Sequence, residues 1–265
     1  MSAPKLPATI AACVLALSPG SGLAQNPALT TAEGLLRAKE AAAAAAARPL
    51  VEADKRRPRI GGFWILEQPV PALRTLEGKI PAMTAQGRAL YAQRLAARKA
   101  GRSEDPGEVC LPPGTPRSMW SGQPFLITQA PAKITFFHEF RHTVRHVFLD
   151  GPLKADNLDP RWQGLSSGYW TGDDLMIETA GFNGKQWLDD AGLPQSAGMK
   201  VTERLRLVAP DTLEDQVAVV DPAYYARPWT TAVRFKRLPA NTNLIEEECS
   251  EKLLEFPLGN YAPGE

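Results

Sequence analysis

The sequence has little cysteine, little histidine and no excess of charge of either sign. Its 265 residues include three cysteines and three histidines, and 30 basic residues stand against 29 acidic ones. A protein that wraps nucleic acid carries a basic surplus to neutralise phosphates, so we expect no nucleic-acid partner. The 44% of hydrophobic and 22% of charged residues are typical of a globular protein, which argues against disorder, coiled coil and collagen.

The first 24 residues have the order of a secretory signal peptide. Lys5 precedes a short apolar run over residues 10–17, and small residues follow at Gly22 and Ala24. The run is too short to span a bilayer. We therefore predict cleavage after Ala24, a periplasmic or secreted mature chain, and no transmembrane segment in that chain.

Two cysteines remain in the predicted mature chain, because Cys13 leaves with the signal peptide. In an oxidising compartment, Cys110 and Cys249 are better explained as a structural disulfide than as a catalytic thiol. No Cys-x-x-Cys or cysteine–histidine spacing indicates a zinc site. We expect no cofactor.

Helical patterns dominate the first part of the mature chain. We predict an alanine-rich helix over residues 31–56 and a second helix after Ile80, with a short strand at 61–66 between them. Basic residues end the second helix, where they favour the helix dipole, and we interpret them as a solvated helix end. Residues 25–109 are therefore expected to form a helical N-terminal arm with one short strand.

The sequence period changes to two beyond Cys110, where residues 110–265 are expected to form a β-domain. Separators with hairpin chemistry, such as Asp150-Gly151, divide this part into short strands without long helices. The strand candidates are 124–130, 133–140, 142–149, 165–170, 174–180, 200–208, 212–220 and 229–238. Eight such strands predict an antiparallel meander that closes as a barrel or folds as a sandwich.

The three histidines lie at four-residue spacing, at His138, His142 and His146. On a helix they would share a face, and two of them could bind zinc. On a strand, successive ones lie roughly 13 Å apart and cannot share one metal ion. Residues 134–149 are rich in Ile, Thr, Phe and Val, which favours strand structure and argues against a single-metal site.

As strands, residues 133–140 and 142–149 would place their even-numbered side chains on one face. That face combines the three histidines with Phe136 and Phe140, as expected of a barrel lumen that binds a ring-containing ligand. A histidine in such a lumen can act as a general acid or base near neutral pH. Hydrogen-bonded wall residues are the alternative explanation of the same imidazoles.

Acidic residues in the strands have a simpler explanation. Glu203, Asp215 and most others are interpreted as ion pairs on the outer face of the sheet. Glu178 is the exception, since its neighbours form an otherwise apolar strand. In the loop at 181–199, Asn183 and Trp187 could reach a ligand at the barrel mouth, although Asn is also an ordinary turn former.

Six segments, taken in order, resemble a family of secreted bacterial hypothetical proteins. The segments are Cys110–Arg117, Pro124–Ile127, Val144–Gly151, Gly168–Leu175, Thr179–Asn183 and Thr202–Arg204. The similarity covers residues 60–240 and implies secretion and a single domain. Members of that family often carry a histidine where this chain has Gln195, and this departure argues against a mechanism that rests on that position.

Two tripeptides, Gly62-Phe63-Trp64 and Gly168-Tyr169-Trp170, resemble the start of lipocalin-like barrels. The resemblance implies a ligand cavity inside a closed sheet. Together with the strand pattern, it leads us to predict an α+β, mainly β, fold, with a helical arm before an antiparallel lipocalin-like barrel of about eight strands.

The leading functional hypothesis is a cofactor-independent lyase or isomerase that moves a proton on an apolar, aromatic small molecule. His138 and His142 would act as acid and base, with Arg145 or Glu178 fixing charge or tautomer. The expected substrate-binding residues are Phe136, Phe140, His146, Trp187 and Asn183. A non-catalytic binding protein for such a ligand and a histidine-based metal-dependent enzyme are the alternatives.

Overall fold

Nine β-strands of the described chain form a closed barrel in which sequence neighbours pair and the last strand returns to the first. The structure is a computed structural model that describes residues 54–149, 151 and 159–249. The strands are β1 (Gly62–Leu66), β2 (Phe125–Ala130), β3 (Lys133–His138), β4 (Val144–Phe148), β5 (Leu165–Thr171), β6 (Asp174–Ala180), β7 (Lys200–Ala209), β8 (Thr212–Val220) and β9 (Trp229–Arg237). The predicted signal peptide lies outside the described residues, as does nearly all of the helix predicted at 31–56.

The mainly β barrel is confirmed, and it differs from the prediction in two respects. It has nine strands rather than about eight, because β1 pairs with both β2 and β9 and thereby closes the sheet. It is also not purely antiparallel, since β4 and β5 run parallel. Their pairing covers only Val147 with Ser166 and Phe148 with Ser167.

Alternation of apolar and polar side chains gives each strand an inward face. In β9, Val233 and Phe235 are buried inside the barrel while Arg234 between them is exposed. Phe235 meets Phe125 of β2 edge to face, with ring centroids 5.1 Å apart. Removing such side chains from water is the main favourable contribution to the fold.

Arg237 secures the closure between the first and last strands. Its guanidinium lies 4.2 Å above the ring of Trp64 and donates a hydrogen bond of 2.6 Å to the carbonyl of Gly61. The Trp64 indole in turn donates to the carbonyl of Ile60, at 2.9 Å. Arg237 thus contacts both the backbone next to β1 and the aromatic ring of Trp64 within β1.

The helix predicted after Ile80 is confirmed as α1 (Ala85–Lys99), and it contacts the segment between β8 and β9. Its first turn is capped by the Thr84 hydroxyl, which accepts from the Gly87 amide at 3.1 Å. Gly87 lies directly against the backbone of Tyr224, where a Cβ would approach the carbonyl oxygen to 2.2 Å. The close approach of helix and turn therefore requires glycine at this position.

The predicted disulfide between Cys110 and Cys249 is confirmed. It joins the segment before β2 to the segment after β9, across 139 residues of sequence. Within the described ranges, no helix is both long and apolar enough to cross a membrane.

Candidate functional site

The β3–β4 hairpin decides which of the predicted residues face the barrel interior. β3 ends at His138, and a turn follows in which Arg141 and His142 adopt positive φ angles of 56° and 45°. The register then pairs Phe136 with Arg145. Inward positions are consequently even-numbered in β3 and odd-numbered in β4, so the single even-numbered face predicted for both strands was wrong.

Of the three histidines, only His138 lies inside the barrel. His146 is on the outer side of β4, where its Nδ1 lies 3.1 Å from the Thr135 hydroxyl. His142 belongs to the turn, and its Nε2 accepts a hydrogen bond of 2.8 Å from the backbone N–H of Glu247. The structure therefore gives His142 a role in holding the segment after β9, and does not place it beside His138 in the interior.

The remaining predicted residues are also distributed over different parts of the molecule. Phe140 lies half-buried in the turn beneath the Arg141 guanidinium. Glu178 is exposed on the outer side of β6, because Thr179 beside it takes the inward position. The expectation that Glu178 lies within a buried strand face was therefore wrong.

The loop at 181–199 closes the barrel end instead of offering side chains to a ligand at its mouth. Trp187 is buried beneath the guanidinium of Arg94 from α1, which lies 4.8 Å from the ring centroid. The Asn183 carboxamide accepts from the backbone of Lys185 at 3.1 Å, as a turn former does. Both side chains are thus engaged in building this loop.

A buried ion pair crosses the barrel interior from β4 to β7. The guanidinium of Arg145 donates two hydrogen bonds to the carboxylate of Glu203, one of them at 2.8 Å. It also donates to the hydroxyls of Ser166, at 2.9 Å, and Thr179, at 2.8 Å. Each of these four side chains is almost fully buried. The pair is satisfied in the way that buried charges require.

His138 and Asp215 are buried in the same interior without hydrogen-bond partners among the described residues. The His138 ring is stacked with Phe136 and lies 5.6 Å from Phe125. Burial, with a smaller effect of Arg145, lowers the pKa of His138 to about 3. Burial and the neighbouring Glu203 carboxylate raise the pKa of Asp215 well above its ordinary value, against the effect of Arg145. Both groups are therefore held in their neutral forms.

The inward orientation of Glu203 and Asp215 corrects the expectation of outer-face ion pairs. A signal for it exists in the sequence. Glu203 alternates with Val201 and Leu205, and Asp215 alternates with Leu213 and Val217, so each acid shares a face with buried aliphatic residues. The two-residue period of these strands therefore predicts the orientation of Glu203 and Asp215 better than the polarity of their side chains does.

A groove of about 380 Å³ lies outside this cluster, along the seam between β4 and β5. It exists because the parallel pairing begins only at Val147, which leaves the first part of β4 without a strand partner on that side. The groove is lined by Pro112, Thr143, Val144, Arg145, His146, Phe148, Arg161, Trp162, Gln163, Gly164 and Leu165. The described part of its lining includes three residues with cationic or imidazole side chains and no carboxylate.

The groove and the buried cluster meet at one residue. Arg145 lines the groove and is also the centre of the interior ion pair. Val144 and Phe148 are each 43% exposed at the groove surface. Among residues 54–149, 151 and 159–249, no group of three or more His, Cys, Asp or Glu side chains is arranged to hold a metal ion.

Comparison with known proteins gives a distant likeness only. No family model matches the chain, and no curated protein matches it. Among solved structures, the crystal structure of a mutant of the fluorescent protein UnaG is similar over 68% of this chain and 96% of its own, with 13% sequence identity and a TM-score of 0.30. A score this low supports no functional argument, and the barrel assignment rests on the strand pairing itself.

Proposed function

We propose that this protein binds a small molecule with an apolar, aromatic body and an anionic group in the groove at the β4–β5 seam. The observation that carries the proposal is the short ladder between these strands, which pairs only two residues of each. Everywhere else around the barrel, neighbouring strands pair over three or more residues. The seam is thus the place where the wall opens to a molecule from outside.

The groove surface suits a flat apolar body. Phe148 and Val144 are unusually exposed for their residue types, and Trp162 is half-buried beside them. A ligand that covered them would remove a contiguous apolar surface from water. The volume of about 380 Å³ lies within the range of small-molecule sites.

The charge of the groove favours an anionic group on the ligand. Arg161 is exposed and forms no ion pair with a described residue, whereas Arg145 is neutralised by Glu203. Among the residues that the structure describes, no acidic side chain lines the groove to compete for Arg161. A carboxylate or sulfonate can therefore accept from the Arg161 guanidinium while the apolar body covers Phe148.

The test uses the fluorescent probe 8-anilinonaphthalene-1-sulfonate, which has the proposed chemistry. We expect saturable binding that weakens at least about tenfold in Phe148→Ala, because the variant loses a large apolar contact. Arg161→Gln should weaken binding of this sulfonate and leave binding of an uncharged naphthalene probe unchanged.

Tyr169→Ala is the matched control, because Tyr169 is 52% exposed on the outer side of β5 and does not line the groove. Its probe affinity should equal that of the unmodified protein. Equal loss in Tyr169→Ala and Phe148→Ala, or no loss in Phe148→Ala, would overturn the proposal.

Proton transfer is a second candidate function, since the interior holds a carboxyl group that burial keeps protonated. His138 and Arg145 of the predicted catalytic set face this interior together with Asp215, whereas His142 lies in the turn after β3. Exchange of the benzylic hydrogens of phenylacetone in deuterium oxide, followed by NMR, tests the class of reaction. Protein-dependent exchange that disappears in Asp215→Asn supports it, and exchange that persists in that variant refutes the assignment.

We also propose that the chain works in the periplasm or outside the cell. The signal-like order of residues 1–24 and the disulfide between Cys110 and Cys249 support this, because such bonds persist in oxidising compartments. Fractionation of cells that express the full chain, with mass determination of the mature N-terminus, tests it. Recovery of uncleaved protein from the cytoplasm would contradict it.

A further inference from the structure

A second face of the molecule combines exposed apolar side chains with basic ones. It shares no lining residue with the β4–β5 groove. It is formed by α1 and by the segments that pack beside it. Three large aliphatic residues on this face are exposed: Leu76 by 55%, Ile80 by 51% and Leu95 by 43%. We call it the α1 face and define it by these residues together with Lys79 and Arg88.

Two adjoining concavities make the α1 face continuous. One, of about 670 Å³, is lined by Leu76, Lys79 and Arg227 among others. The other, of about 550 Å³, is lined by Arg88 and Leu95 with the α1 residues between them. Ile80 and Ala82 line both, so the apolar surface passes from one to the other without a break.

Most side chains of α1 are not buried. Of its 15 residues, Gly87 and Ala97 are the buried ones. Arg88, Leu95 and Lys99 succeed one another at spacings of seven and four residues, so they follow one stripe along the helix. An exposed stripe that alternates cation, aliphatic and cation is typical of helices that lie on a charged apolar interface.

The charge of this region is strongly one-sided. Between Arg74 and Arg102 there are seven basic residues and one acidic residue, Glu77, in a chain whose net charge is +1. One of the seven, Arg94, is turned inward onto Trp187. Of the other six, Arg74 and Arg88 each donate one hydrogen bond to a backbone carbonyl, and Lys79 and Lys99 are exposed.

We propose that the α1 face docks the protein on an anionic lipid bilayer, with Leu76, Ile80 and Leu95 entering the interface and the surrounding cations contacting acidic headgroups. Both features are needed for this choice. A basic surface alone would suit any polyanion, and an apolar surface alone would suit a second copy of the chain. Their combination on one continuous face fits the boundary between headgroups and acyl chains. This inference does not depend on the ligand proposed for the groove.

The experiment is sedimentation of the full chain with vesicles of phosphatidylcholine alone and of phosphatidylcholine mixed with phosphatidylglycerol. We expect binding to the mixed vesicles that weakens as salt rises, and much weaker binding to the neutral ones. The double variant Lys79→Gln/Lys99→Gln should bind the mixed vesicles roughly 30-fold less, at about fivefold for each cation. The double variant Ile80→Ser/Leu95→Ser should lose binding while its circular dichroism stays unchanged.

Matched controls lie at the opposite end of the barrel. Lys133→Gln/Arg206→Gln removes two exposed cations near the β2–β3 and β7–β8 turns, and Val208→Ser removes an exposed aliphatic residue there. Both should bind vesicles as the unmodified chain does. Equal binding to neutral and anionic vesicles, or equal losses in control and α1-face variants, would overturn the proposal. So would self-association that Ile80→Ser/Leu95→Ser abolishes, since the face would then be a contact between copies.

Discussion

The inner and outer sides of the β3–β4 hairpin use the same residue types for opposite purposes. Inside, Phe136, His138 and Arg145 are almost completely buried. Outside, Phe148 and His146 are exposed along the groove, with Arg161 across from them. Each of these two sets has one phenylalanine, one histidine and one arginine, and the two sets differ in burial.

The contacts of the two arginines indicate that the inner side stabilises the fold and that the outer side is available for recognition. The inner arginine is committed to Glu203, Ser166 and Thr179, so little of its hydrogen-bonding capacity remains for a ligand. The outer arginine has no described ion-pair partner and is free to receive an anion. Changes on the inner side should therefore alter folding, and changes on the outer side should alter binding.

The largest effect is expected from removing the inner arginine. Arg145→Met leaves the Glu203 carboxylate buried without its partner, which should lower the free energy of unfolding by about 3–5 kcal/mol in urea titrations. The double variant Arg145→Met/Glu203→Leu removes both charges and should recover most of that loss. A loss below about 1 kcal/mol in the single variant would mean that the interior does not isolate this pair from water.

The phenylalanine pair offers a test between identical residue types. Phe136→Ala should cost about 3–5 kcal/mol of unfolding free energy, since it leaves a cavity in the packed interior. Phe148→Ala should cost less than about 1 kcal/mol, because the side chain is 43% exposed. Similar costs at both positions would show that the groove wall is part of the core.

The buried His138 should make the free energy of unfolding depend on pH. A pKa of about 3 in the folded state, against 6.5 ordinarily, means that the unfolded chain takes up the proton first. Stability due to neutral His138 is complete above pH 6.5 and falls as pH decreases toward 3, by about 3 kcal/mol between pH 7 and 4.5. Unfolding of His138→Leu should lack this component, and an unchanged pH profile in that variant would contradict the assignment.

Asp215 should act in the opposite direction, because burial and the Glu203 carboxylate raise its pKa well above the ordinary value, against the effect of Arg145. The unfolded carboxyl loses its proton near its ordinary value while the folded one keeps it, so this contribution to stability is complete at low pH and decreases as pH rises. Asp215→Asn should therefore gain stability relative to the unmodified protein between pH 4 and pH 8. Urea titrations of both proteins at several pH values measure this difference, and a constant difference across that range would contradict it.

Strand positions were predictable because the period of two is a local property of the sequence. β6 and β8 were predicted with their observed bounds, and β2 within one residue. The orientation of β4 was not predictable in this way. It depends on a turn in which Arg141 and His142 adopt left-handed backbone angles, a conformation that nothing in these residue types signals.

The candidate site depends on contacts between distant strands, and this limited its prediction. The structure places His138 and Arg145 in the interior, but the hydrogen-bond partners of Arg145 lie on β5, β6 and β7. No local pattern connects Arg145 with Glu203, 58 residues away. Trp187 was expected at a mouth because it lies in a long loop. Trp187 is instead buried beneath the Arg94 guanidinium of α1, and this tertiary contact has no local signal in the sequence.

The pairing of β1 with β9 has a consequence for how the chain is made. Arg237 and Gly61, which meet at this closure, are 176 residues apart. A chain emerging from the ribosome or a translocation channel can form the hairpins between them early, yet both borders of the sheet stay open until the last strand has appeared. Closing so long a loop is slow, and open borders invite pairing with other chains. Until the last strand has been made, the nascent sheet therefore has two edge strands with unpaired backbone groups. Pairing of β9 with β1 removes both edges.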